Sequence, residues 1–289
     1  MCAPGCIEHL TERLSRRALL AVGAAAAAAL GPGEAGARTA LQAGRAATGS
    51  KAPTVFPAFS RVVDLTHALT PEFPTFFGTP GITLKQLKAF KPDGFNMMEW
   101  TVLEHSGTHI DAPIHFSATG AGPAELAIDR LVVPLVVIDV ADKAAQDPDY
   151  RLTPADVRGW EKRHGRLPER CCVAMYSGWD KLVASPRFVG RDDKGVLHFP
   201  GIHHETSRLL VEERDVAGIA VDTLSLDHGP SKSFETHYAW LPSGRWGLEN
   251  VANLAGVLAG APKRGATIVV GAPKIKGATG GPTRVLALV

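Results

Sequence analysis

Cysteine is scarce in this chain, with four residues in 289, at Cys2, Cys6, Cys171 and Cys172. No Cys-x-x-Cys pair occurs, so a cysteine-built zinc cluster is excluded. Cys171 and Cys172 are adjacent, and adjacent strand residues point to opposite faces, so two buried thiols are expected and not a disulfide. Neither sign of charge is in excess. Lys and Arg number 31 against 29 Asp and Glu, a net of +2, which gives no basis for a nucleic-acid or anionic-membrane partner. There is no internal repeat, no charge block and no apolar run that spans a bilayer comfortably. Glycine (30) and proline (21) are plentiful, which suits many turns between strands. The length is enough to bury a substantial core without disulfide staples.

The first residues read as an address. Ser15-Arg-Arg-Ala-Leu-Leu is followed by an alanine-rich run ending at Leu30, then by the break Gly31-Pro-Gly. Ala35-Gly-Ala37 fits a small-residue cleavage site. Residues 1–37 are therefore expected to be a twin-arginine export signal, which places the mature protein in the periplasm or outside the cell, with no membrane anchor. Residues 38–57 are small and polar and are expected to be a flexible linker. Residues 58–289 are expected to form one α/β domain with a mixed β-sheet.

Within that domain, strands are expected at Arg61–Thr66, Asn96–Glu104, Leu131–Asp139, Val173–Ser177, Val216–Asp222 and Ala266–Val270. Pro134 argues for the start of a strand or for an edge. Thr153-Pro-Ala-Asp opens a helix, with Thr153 as its cap and Pro154 in its first turn. Thr70–Gly78 and Tyr238–Gly247 read as loops, and Leu248–Ala255 as a short helix.

The chemistry concentrates in His105-Ser-Gly-Thr-His109-Ile-Asp111-Ala-Pro-Ile-His115. Three imidazoles and a carboxylate follow one another at spacings of four, two and four. All four share parity, so an extended chain places them on one face. Zinc favours neutral imidazole with carboxylate oxygen, and manganese accepts the same set. Gly107 permits a tight backbone approach, and Gly107, Thr108 and Pro113 oppose a helix. A second stretch holds further ligand types, and the residues alone do not choose between Asp227, His228, Glu235, His237 and Glu249.

The segment resembles the signature of the cyclase family of metal-dependent hydrolases, His-x-Gly-Thr-His-x-Asp-x-Pro-x-His, at every fixed position. Asp222-Thr-x-Ser225-x-Asp227, Ser233-x-x-x-His237, Glu249-Asn250 and the stretch from Pro273 to Arg284 are similar as well. That family includes bacterial-type kynurenine formamidases and isatin hydrolases. The resemblance implies a swivelling β/β/α fold in homodimers or homotetramers. It implies one or two divalent ions, zinc first and manganese as the alternative, held by His105, His109, Asp111, His237 and Glu249. It implies that His115 is the general acid/base, a role a near-neutral imidazole suits, although His115 as a further ligand stays open. The expected activity is hydrolysis of a small amide, lactam or ester by activated water. The alternatives are a cyclase or dehydratase of a secondary metabolite, or a non-enzymatic metal-binding exported protein. Phe76 and Trp179 are expected to contact the small-molecule substrate. Phe76-Phe77-Gly78-Thr79 departs from the Trp that kynurenine formamidases carry in this loop, which argues against N-formylkynurenine as the substrate.

Overall fold

Along Val132–Asp139 the side chains divide by parity: Val133, Leu135 and Val137 enter one apolar cluster, Val136 and Ile138 another. The next strand repeats this, with Cys172, Ala174 and Tyr176 on one side and Cys171, Val173 and Met175 on the other. A period of two with both faces apolar is the signature of a strand covered on both sides. It also settles the adjacent cysteines, which are free, buried and on opposite faces of the sheet. Burial pushes the Cys171 thiol up to about 12, so it is inert as a nucleophile at neutral pH.

The computed structural model describes residues 59–260 and 265–289. The expected export signal and linker, and with them Cys2 and Cys6, lie outside the described residues. Nine strands form one mixed sheet. In spatial order they are β1 (Val62–Asp64), β13 (Arg284–Leu288), β11 (Ala266–Gly271), β5 (Val132–Asp139), β7 (Cys172–Tyr176), β9 (Gly218–Val221), β10 (Trp246–Glu249), β4 (His109–Asp111) and β12 (Gly280–Pro282). Strands β5, β7, β9 and β10 run parallel, while the pairings at both ends of the sheet are antiparallel. Pro134 sits near the start of β5, one residue before the pairing with β7 begins at Leu135. β6 (Arg151–Leu152) and β8 (Gly201–Ile202) form a separate small pair.

Helices cover the sheet. Packed on one side are Val157 of α2 (Pro154–His164) and Leu209 and Leu210 of α3 (His204–Glu212). α5 (Leu254–Gly260) packs Leu254 and Val257 on the other. Fully burying one such side chain stabilises by about 1.5–3 kcal/mol. α2 begins as expected, with the Thr153 hydroxyl accepting from Asp156 N and the Asp156 carboxylate accepting from Thr153 N. α1 (Ala141–Gln146) is a short connector.

Two expectations are corrected. Leu248–Ala255 is not a helix from its start: Trp246–Glu249 is strand β10, held between β9 and β4, and α5 begins only at Leu254. Partners on both sides of a buried strand outweigh its local helical preference. Tyr238–Gly247 is not wholly a loop, because α4 (Glu235–Trp240) runs through its start. No described helix is long and apolar enough to cross a membrane.

Outside the sheet, β2 (Ile82–Lys88) and β3 (Met97–Val102) form a two-stranded hairpin whose residues are mostly exposed. It carries Leu84, Met97, Met98 and Trp100 in the open, the last 68% exposed. Two strands alone are marginal in water, and apolar side chains on them add to the burden.

Candidate metal centre and active site

β4 supplies His109 and Asp111, two positions apart and both fully buried. Antiparallel pairing with β10 sets Glu249 opposite His109, and pairing with β12 sets Gly280 opposite Asp111. Cross-strand partners lie close enough for their side chains to meet. His109 Nε2 is 3.3 Å from Asp111 Oδ1 and 3.3 Å from Glu249 Oε2. His237 arrives from α4, with Nε2 3.2 Å from Glu249 Oε1 and 3.4 Å from Asp111 Oδ2.

The backbone aims each imidazole. Gly107 has φ of +64°, and an added Cβ there would meet Leu69 Cδ1 at 3.0 Å. Its carbonyl lies 2.9 Å from His109 Nδ1 and accepts from Asn250 Nδ2, leaving His109 Nε2 for the two carboxylates. The Asp227 carboxylate does the same for His237. It receives Thr236 N and His237 N, capping α4, and lies 2.6 Å from His237 Nδ1. A carboxylate behind an imidazole fixes its tautomer and raises its basicity at the opposite nitrogen.

His105 contacts the same Asp111 carboxylate, and His115 has a ring nitrogen within 4.8 Å of it. His105 Nδ1 is 2.7 Å from Asp111 Oδ1, and its Nε2 is 2.9 Å from Thr279 Oγ1, whose hydroxyl donates to Glu104. His115 stacks on His105 with centroids 3.7 Å apart. The four residues do not lie along one extended strand as expected. His105 precedes the turn at Gly107, only His109 and Asp111 are on β4, and His115 is in a 3-10 turn, Pro113–Phe116. Turn, short strand and tight turn bring them together.

The electrostatics favour positive charge at the centre. Two carboxylates, Asp111 and Glu249, are buried side by side. Burial alone would raise the Asp111 carboxyl, but His105 at 2.7 Å and the nearby His109 and His237 imidazoles hold it well below the usual range. Burial alone would lower His109, yet Asp111 and Glu249 raise it to about 10. Burial pushes His115 down to about 4, so it is a neutral imidazole at pH 7.

Two side-chain atoms at the centre, His109 Nε2 and Asp111 Oδ2, are buried without a hydrogen-bond partner. Orphaned polar atoms are costly, and imidazole nitrogen with carboxylate oxygen is the donor set that a borderline divalent ion relieves. Among the described residues, two groups have ligand atoms within 4.8 Å of one another: His109, Asp111 and Glu249, and His105, Asp111 and His115. Asp111 belongs to both. The donors therefore fit one ion or a bridged pair.

A cavity of about 330 Å³ opens onto this centre. His105, His115, His237 and Glu249 line it together with Phe76, Phe77, Phe116 and Phe234. Phe76 packs 6.1 Å from Phe234, and Phe116 lies 4.5 Å from the His237 ring. The structure thus brings Phe76 and all six expected ligand and acid/base residues to one place. It does not bring Trp179, which is 4% exposed among Phe188, Leu197, Phe199 and Leu224, with its indole N–H donating to Phe188 O. Trp179 is a core residue. Of the positions left open in the second stretch, His237 and Glu249 are at the centre and Asp227 is directly behind His237. Glu235 faces outward to His204, and His228 does not line the cavity. Phe116, Phe234, Thr279 and Glu104 were missed. Glu104, Phe116 and Phe234 are signalled only by closeness to ligand residues, and Thr279 only by its place in the Pro273–Arg284 stretch.

The family model described as "Putative cyclase" matches residues 63–228. Isatin hydrolase from Roseibium aggregatum is 32% identical over 247 residues, covering 79% of this chain and 91% of that protein. Kynurenine formamidase from Delftia acidovorans is 26% identical over 201 residues, covering 66% of this chain and 82% of that one. The solved structure of isatin hydrolase A from Labrenzia aggregata, bound to benzyl benzoate, superposes with a TM-score of 0.73 at 33% identity, covering 79% of this chain and 93% of that one.

Proposed function

The chain belongs to the cyclase family, and on that premise we propose that it is a metal-dependent hydrolase opening a small amide, lactam or ester whose aromatic part lies against Phe76, Phe116 and Phe234. It is an enzyme acting on carbon–nitrogen bonds other than peptide bonds, in line with its isatin hydrolase and kynurenine formamidase relatives. The observation that carries the reading is the pair of orphaned atoms, His109 Nε2 and Asp111 Oδ2, beside an aromatic cavity.

His105, His109, Asp111, His237 and Glu249 are the residues that would hold one or two divalent ions, zinc first and manganese as the alternative. The chemistry such an ion supplies is acidification of water and polarisation of a carbonyl. His115 does the proton work. It lines the cavity and makes no hydrogen bond to a carboxylate among the described residues, so its ring nitrogens are open to a proton from water or substrate. The attacking water gives its proton to His115 as its oxygen bonds to the carbonyl carbon. The carbon–nitrogen bond then breaks and the proton passes to the leaving nitrogen. Glu104 and Thr279 keep His105 in place while His115 moves protons beside it.

Residues 1–37 support export to the periplasm or beyond by the twin-arginine route. The exposed apolar hairpin supports assembly into a homodimer or homotetramer, a second copy covering Trp100, Met97 and Met98.

The deciding experiment is elemental analysis of the purified protein followed by a screen of aryl formamides, isatin-like lactams and lactones. Stoichiometric zinc or manganese with turnover of one class is expected. Metal-loaded protein that hydrolyses none of them refutes the reading.

A further inference from the structure

The residue after Glu249 breaks strand β10. Asn250 has φ of +54°, a left-handed backbone that residues other than glycine and asparagine seldom adopt. In a continued strand Glu249 and Asn250 would point to opposite faces, yet both line the catalytic cavity. The main chain of this turn is anchored without help from the side chain. Asn250 N donates to Thr223 O at 2.9 Å, and Val251 N donates to Val221 O at 3.0 Å. Asn250 is 2% exposed, so its amide is committed to protein neighbours.

Those neighbours are the turn between His105 and His109. Asn250 Nδ2 donates to Gly107 O at 2.9 Å, and Asn250 O accepts from Thr108 Oγ1, which itself accepts from His67 N at 2.9 Å. One asparagine thus grips two successive residues of the turn, 143 and 142 positions away in the chain. Glycine tolerates either sign of φ, so the peptide after Gly107 can turn over, and contacts decide which way its carbonyl faces. Here Gly107 O lies 2.9 Å from His109 Nδ1. A carbonyl only accepts, so a proton stays on Nδ1 in either charge state of the ring, and Nε2 is the nitrogen left to Asp111 and Glu249. The other end of the Asn250 amide is unused: Oδ1 is buried with no hydrogen-bond partner among the described residues. An unpaired buried acceptor is a cost that glycine or an apolar residue would not carry, so the donor end is what the site uses.

We propose that Asn250 is a positioning residue for the metal centre: its amide holds the Gly107 carbonyl on His109 Nδ1, so that His109 presents Nε2 to a divalent ion. This role rests on the metal-dependent reading of the same centre and adds a residue to it that is not itself a ligand. Groups behind a ligand imidazole act on metal affinity by fixing its ring and its proton. Asn250 serves two ligands at once. Glu249 is its chain neighbour, and His109 is the residue that Glu249 faces across β10 and β4.

The test compares the full chain with its Asn250→Gly and Asn250→Asp variants. Glycine takes the left-handed backbone without strain and removes the orphaned oxygen. Aspartate keeps the size and, at about pH 8, sets an ionised acceptor against the Gly107 carbonyl. Zinc affinity is read by competition with a chelator. The His109 Nδ1–H is read from its ring signal in isotope-labelled protein, with and without zinc. In the wild type that proton should be protected from exchange with water. In both variants it should be lost to fast exchange, and zinc affinity should fall about 10- to 100-fold. Wild-type affinity in either variant overturns the proposal. So does a fall in affinity with the Nδ1–H still protected, because Asn250 would then act through the fold and not through His109. If Asn250→Gly does not fold, Asn250→Asp decides by the same two readings. A wild type that binds no zinc, with the ring proton protected and lost in the variants, refutes the metal reading and leaves the hold of Asn250 on His109 standing.

Discussion

The Asp227 carboxylate lies 2.6 Å from His237 Nδ1 and so commits His237 Nε2 to Asp111 and Glu249. The same carboxylate caps α4 through Thr236 N and His237 N, so the helix and the imidazole are fixed by one group. Asp227→Asn keeps the size and removes the charge. Metal affinity is expected to fall 10- to 100-fold, the usual cost of losing a carboxylate behind a ligand histidine. Competition with a chelator measures it, and an unchanged affinity would show that Asp227 serves only the helix.

His115→Ala separates two roles. As the acid/base, His115 can be removed with metal content intact and kcat lowered about 10²–10⁴-fold. As a ligand, its loss lowers metal content in step with activity, and its grouping with His105 and Asp111 makes that comparison necessary. Metal analysis alongside turnover on the same preparation reads both.

Trp100→Glu addresses assembly. The hairpin places Trp100, Met97 and Met98 in solvent, and a carboxylate in a closed apolar contact would lack a partner. The wild type is expected to run as a dimer or tetramer by light scattering and the variant as a smaller species. A monomeric wild type at micromolar concentration would rule out the hairpin as an interface.

Asp156 gives a pH-dependent stability. Burial alone would raise its carboxyl, but hydrogen bonds from Lys143, Tyr150 and Thr153 outweigh that and lower it. Its folded pKa is thus below the unfolded value of about 3.9, so its contribution is complete above that value and is lost as pH falls through the folded pKa. Asp156→Asn should cost about 1 kcal/mol at neutral pH through the lost helix cap, and it should flatten the acid side of the stability curve. Urea melts of both proteins across the acid range test this, and parallel curves would contradict it.

The ligand segment was legible because spacing and residue type survive any backbone path. Its geometry was not. Parity suggested one extended face, whereas a turn at Gly107 and the 3-10 turn at Pro113–Phe116 do the gathering. Strands β5, β7, β9 and β11 were readable from apolar runs that need two covered faces. Strand β10 was not, because what makes Trp246–Glu249 extended is pairing with β9 and β4, which no local pattern encodes. The same pairing brings Glu249 to His109, so the residues alone left five positions open and only resemblance chose among them. Trp179 was misplaced because a large ring at the end of a buried strand looks the same in sequence whether it faces a cavity or the core.

His105 and Thr279 meet across 174 residues of chain, and β4 gains its outer neighbour only from Gly280–Pro282. Synthesis delivers those pieces far apart in time. A chain halted before Thr279 keeps the Gly107 and β10 contacts of His109 but lacks the hydroxyl behind His105 and the outer neighbour of β4. A clipped chain is therefore expected to lose the fixed orientation of His105 first, however intact its histidine segment remains.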